Sequence, residues 1–210
     1  TEETYSKVYE ERISIKRNLS MIASNFPLQF VIVAIFGTWM ANNIKQVTVI
    51  YFVKYNLQLE PYFGLILLSV ILQIMMGAFL ANLIKNKLEK KNIYILGTAL
   101  YVLADLTIYF VIGYENFWLL ALVGVPAFIG FGMAGVAVWS MIADTVEYGE
   151  WKSGFRAEGV INAFHVCIFK LSIGISAWFA GIILEKTNYI PNAESQSIET
   201  LDGLFAMGYL

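Results

Sequence analysis

The chain has 210 residues, 58% of them hydrophobic and only 14% charged, with a net charge of −2. A soluble domain averages about 25% charged residues, so water is the wrong solvent for most of this surface. The near balance of charge gives no footprint for a nucleic-acid partner, and the single cysteine, Cys167, excludes an internal disulfide.

In chain order, the segment from Glu2 to Arg17 is polar and charged and lacks the basic start and short apolar core of a secretory signal. Five apolar blocks follow, each long enough to cross a hydrocarbon layer that needs about 20 residues per helix. The first runs from Phe26 to Phe52 and carries Asn42, Lys45 and Gln46 at spacings of three and four, on one helix face that either lines a cavity or packs on a neighbour. The second runs from Leu59 to Leu83. The third, Ile93 to Ile112, holds the lone carboxylate Asp105, for which a pair with a basic side chain is the expectation.

The fourth block, Phe117 to Ala143, gathers Gly124, Gly130, Gly132 and Gly135 around Pro126. Close helix packing and a bend during a conformational change both fit. A polar stretch from Asp144 to Gly159 follows and reads as a loop, interrupted by glycines at 149, 154 and 159. The fifth block runs from Val160 to Leu184. Here Glu158, Asn162 and His165 fall within an arc of about 60° on a helix, a polar stripe that must face protein or water. Lys170 lies on the flank of that stripe, about 15 Å into the span. Charge at that depth costs about 2.5–3.5 kcal/mol or more, so the lysine is a functional candidate, against the alternatives of snorkelling or a structural ion pair. His165 reads equally as a packing residue and as a substrate contact. A sixth apolar stretch begins near Leu201 and reaches only about 15 Å, the start of a helix, so the chain is expected to be a piece of a longer one.

The expected class is therefore all-α, polytopic and membrane-integral, with every span helical because lipid cannot satisfy open backbone groups. Ten of the fourteen Lys and Arg residues, including Lys7, Arg12, Lys85, Lys90, Lys91, Lys152 and Arg156, fall on one side of the spans. Lys54 and Lys186 alone fall on the other, so the amino terminus is expected to be cytoplasmic.

The run Ala143-Asp144-Thr-Val-Glu147-Tyr148-Gly149-Glu150-Trp151-Lys152, followed by Gly154-Phe155-Arg156-Ala-Glu158, resembles the loop between helices ten and eleven of the glycoside-pentoside-hexuronide cation symporters, a branch of the major facilitator superfamily. The resemblance extends through Lys170 to Tyr189-Ile190-Pro191-Asn192, and more loosely to Tyr51-Phe52-Val53-Lys54-Tyr55. It implies that the five spans are helices seven to eleven of twelve, that residues 1–25 are a cytoplasmic linker between halves, and that residues 26–210 are a carboxy-terminal six-helix half, truncated in its last helix. It also implies a multi-pass protein of the bacterial inner membrane that couples sugar or glycoside uptake to a proton or sodium ion.

By the same resemblance Asp144, Glu147 and Arg156, with Glu158, close the cytoplasmic side against an amino-terminal half. Lys170 matches the family's helix-eleven lysine, and His165 stands where a polar residue faces the sugar; Asn162, Asn42 and Lys45 complete the expected substrate-binding set. Phe155 replaces a polar residue of other members. The family's cation carboxylates lie in the amino-terminal half, so no metal ligand and no cofactor is assigned to this chain. Lipid, a small sugar or glycoside and the amino-terminal half are the expected partners. One His, one Cys and no paired motif make an enzyme the weak alternative. A non-transporting membrane sugar sensor or scaffold of the same fold is the stronger one.

Overall fold

The computed structural model describes Ser20 and residues 22–154, 157–191 and 193–210. Six α-helices form in these segments: α1 Phe26–Tyr51, α2 Phe63–Ile84, α3 Lys90–Thr107, α4 Phe117–Ser153, α5 Glu158–Lys186 and α6 Ile198–Tyr209. One π-helical turn, Phe52–Asn56, prolongs α1, and another, Ile108–Ile112, prolongs α3. With these extensions, five helices are long and apolar enough to cross a membrane by length and composition. This is a polytopic all-helical protein.

Local chemistry sets the starts. Asn25 accepts a hydrogen bond from Leu28 N at 3.1 Å, and Pro27 occupies the first turn of α1, where its missing N–H costs nothing. Asn116 caps α4 through Leu119 N at 3.2 Å, and Ser197 caps α6 through Thr200 N at 3.2 Å. The sixth helix thus starts at Ile198, three residues before the apolar run itself.

The stretch from Asp144 to Gly159 departs from the expected loop. Helix α4 continues through it to Ser153, 37 residues in all, and α5 begins at Glu158. A single glycine inside a helix costs only about 1 kcal/mol, so Gly149, buried in α4, does not end it. The true stop is Gly154, whose φ of +67° is the left-handed conformation that glycine adopts freely.

The helices sort into two groups of three. Helix α4 packs mainly on α3 and α2, whereas α1 packs on α5 and α6. Each sequential trio therefore lends its first helix to the other, the packing expected of two structural repeats within one half of a transporter. In lipid no hydrophobic drive brings apolar helices together, so close backbone approach must do it. Gly77 of α2 lies against the backbone of Ile129, Gly132 of α4 against that of Ile74, and Gly97 faces Gly130. Gly124 and Gly135, by contrast, have open space where a side chain would stand, so the glycine cluster of α4 is only partly a packing seam. Helix α2 buries only Gly77 and Ala81, and its Leu65, Leu68, Ile71, Leu72, Met75 and Phe79 are exposed, as a lipid-facing surface requires.

Polar stitches join α1 to α5: Asn43 Nδ2 donates to Ser172 Oγ at 3.1 Å, and Ser176 Oγ donates to the Met40 carbonyl at 3.0 Å. At the lysine-rich end, Leu28, Ile35, Val138, Ile142, Val146, Ala157 and Ile161 make one core from α1, α4 and the start of α5. Asn25 Nδ2 donates to the Thr145 carbonyl at 2.8 Å across the same junction.

Candidate functional site

The bundle holds a cavity of about 260 Å³ between α1, α2 and α4, lined by Thr38, Trp39, Ile74, Phe131, Gly135 and Trp139 among others. Trp39 sits edge-on between Phe131 of α4, at 5.7 Å, and Phe169 of α5, at 4.8 Å. Gly135 is part of the lining and has open space where a side chain would stand. The volume lies just below the usual range of about 300–1,000 Å³ for small-molecule sites.

Trp139 also borders a second, smaller hollow of about 130 Å³ with Glu147, Glu158 and Asn162. Its ring meets that of His165 edge-on at 4.8 Å. The helix periodicity of α5 thus brings Glu158, Asn162 and His165 to one face, and Trp139 of α4 faces them. His165 is only 6% exposed, yet neither ring nitrogen has a hydrogen-bond partner among the described residues. A buried, unmet donor or acceptor costs about 1–3 kcal/mol, so this ring calls for a polar partner.

The other expected site residues are spread out. Asn162 and Lys170 are exposed on α5, and Lys170 makes no ion pair with the described residues. Asn42 is buried, its Nδ2 without a hydrogen-bond partner among the described residues, while Gln46 is exposed, so their shared face in the sequence divides into a packed edge and an open one. Lys45 is buried too, and its ammonium meets the Asp105 carboxylate of α3 at 2.5 Å. That is the basic partner expected for Asp105. Asp144, half-exposed, pairs with Lys90 of α3 at 2.5 Å within this chain. Arg156 lies outside the described residues, as does Phe155. Trp39 and Trp139 escaped the sequence reading. Tryptophan favours membrane interfaces, so Trp39, thirteen residues into its helix, carried a usable signal by its mid-span position.

Among the described residues no cluster of His, Cys, Asp and Glu is suited to hold a metal ion. The arrangement places aromatic rings beside amide, imidazole and carboxylate groups that can donate or accept hydrogen bonds.

The sequence profile of the family described as MFS/sugar transport protein matches residues 2–209. A protein of Escherichia coli (strain K12) provisionally named a sulfoquinovose importer is 31% identical over 196 residues, which are 92% of this chain and 41% of that protein. A Bacillus subtilis (strain 168) protein named uncharacterized symporter YjmB is 30% identical over 205 residues, 96% of this chain and 43% of its own. The isoprimeverose transporter of Lactiplantibacillus pentosus is 29% identical over 199 residues, 93% of this chain and 40% of its own. The chain spans about two fifths of the length of these relatives. Five membrane-length helices, two interlocked three-helix groups and a profile match over almost every residue lead to one statement: the chain belongs to the MFS sugar transport family, a family of transporters rather than enzymes.

Proposed function

We propose that this chain is the carboxy-terminal six-helix half of a secondary active transporter that carries a sugar or glycoside across a bacterial cell membrane together with a cation, either a proton or sodium. The observation that carries the reading is the grouping of Trp139, His165, Asn162 and Glu158 beside the cavity walled by Trp39 and Phe131. Sugars present apolar C–H faces and a rim of hydroxyls, and rings beside amide and imidazole groups meet both demands. His165, whose ring nitrogens have no hydrogen-bond partner among the described residues, then takes a sugar hydroxyl. Lys170, exposed on α5 with Asn162, faces an amino-terminal half across the central cavity.

Asp144, Glu147, Arg156 and Glu158 form the cytoplasmic gate in this reading, with the amino terminus on the cytoplasmic side. Asp144 already has Lys90 in reach, so the gate works by exchange of partners between Lys90 and groups on the other half. The coupling cation of the family is expected to bind in the amino-terminal half; lipid and that half are the remaining partners.

Counterflow by the complete protein in liposomes tests the reading, with a panel of labelled glycosides and with and without sodium. Saturable exchange of at least one glycoside is expected, weakened by Trp139→Ala. Binding of a glycoside without any exchange would make the protein a sensor of the same fold.

A further inference from the structure

One pair of buried charges lines neither of the two hollows that Trp139 borders. Lys45 of α1 and Asp105 of α3 are each 8% exposed, lie in the halves of their spans far from the lysine-rich end, and meet at 2.5 Å. Two features separate them from an ion pair that only ties helices. The ammonium has a second set of partners, the rings of Tyr101, Phe128 and Tyr209, at 5.0, 5.2 and 4.7 Å from Nζ. A cage of three rings from α3, α4 and α6 keeps a cation stable when its carboxylate is neutral. The second feature is access. Asp105 lines a cavity of about 550 Å³ with Tyr101, Tyr209, Met40, Ala41 and Ile183, and Lys45 does not line it. The carboxylate thus has the ammonium on one side and open space on the other, with no further hydrogen bond among the described residues.

We propose that Asp105 is a proton-binding site through which this half of the transporter takes part in cation coupling, an assignment that rests on the transport reading above. One proton entering from the cavity adds to a carboxylate oxygen and gives a neutral carboxyl. Lys45 keeps its own proton and passes from the carboxylate to the ring cage, so one proton is taken up and no electrons move. The titratable groups facing Asp105 are Lys45 of α1, Tyr101 of α3 and Tyr209 of α6, while α4 presents Phe128 and α5 presents Ile183. Helices α1 and α3 belong to different three-helix groups. Protonation therefore loosens an electrostatic tie between the groups, which is the differential interaction that a conformational equilibrium needs in order to respond. This site is additional to the carboxylates expected in the amino-terminal half.

The test uses the intact transporter in liposomes. Infrared difference spectra between neutral and acidic buffer are expected to show a carboxylic C=O band that is lost in Asp105→Asn. Accumulation driven by a pH gradient is expected to fall about tenfold or more in that variant while counterflow persists. An unchanged band in Asp105→Asn, absence of any titrating band, or normal pH-driven accumulation overturns the proposal. Where Asp105→Asn does not fold, the uncharged double variant Lys45→Gln/Asp105→Asn takes its place, and pH-driven accumulation by it overturns the proposal equally. Loss of counterflow in the unmodified protein with the Asp105 band intact removes the transport reading and leaves the proton site standing.

Discussion

Lys45, Lys90 and Lys170 show how one residue type takes three roles according to surroundings. Lys45 is enclosed with its carboxylate, and removing one member of such a pair strands the other charge. Lys45→Met is expected to destabilise the protein by about 3–5 kcal/mol. Lys90, half-exposed beside Asp144, is screened by solvent, and Lys90→Met is expected to cost less than about 1 kcal/mol. Comparing the thermal unfolding of both variants in one detergent checks the contrast, and equal losses would refute it. Lys170 makes no ion pair with an acidic group among the described residues, so Lys170→Met is expected to shift stability by no more than about 0.5 kcal/mol while abolishing cation-driven sugar uptake. Unfolding and uptake measured on the same purified protein decide between transport and architecture. Trp139→Ala is expected to cost about 1 kcal/mol of glycoside affinity, roughly fivefold, read as the counterflow half-saturation concentration.

At the scale of the element, the contact of α2 with α4 depends on absent side chains. A Cβ on Gly132 meets the backbone of Ile74, which cannot yield as a flexible side chain can. Gly132→Ala is therefore expected to destabilise by about 1–3 kcal/mol, while Gly135→Ala, facing open space inside a helix, is expected to stabilise by up to about 1 kcal/mol. Thermal unfolding of the two variants separates packing glycines from free ones. The elements themselves were legible in the sequence because twenty-residue apolar blocks leave few alternatives. The end of α4 was not. Charged residues after an apolar run look like a loop whether or not the helix goes on past the membrane, and only the positive φ at Gly154 marks the stop. The polar face of α5 was readable from the spacing of Glu158, Asn162 and His165. Its partner Trp139 was not, since helix α4 meets that face through tertiary packing that no local spacing encodes. Likewise Asp105 announced the need for a cation, but 60 residues separate it from the lysine that answers it.

The whole molecule is organised by its distribution of positive charge and by its two interlocked groups. The ten basic residues on one side of the spans predict an orientation with that side cytoplasmic. Cysteines introduced as Glu89→Cys, between α2 and α3, and Asn116→Cys, between α3 and α4, are expected to react with an impermeant reagent from opposite faces of the membrane. Labelling of both from one face would reject the topology. The exchange of first helices between trios also bears on how the protein is made. Helices α2, α3 and α4 meet their partners in the order in which they leave the ribosome. Helix α1 does not: Asn43 waits for Ser172, 129 residues later. At about 5–20 residues per second that delay is roughly 6–26 s. During this time a helix bearing Lys45, Asn42 and Asn43 needs shielding from lipid, by the insertion machinery or by the amino-terminal half proposed to precede it, so biogenesis imposes its own demand on a helix whose polar groups serve the finished transporter.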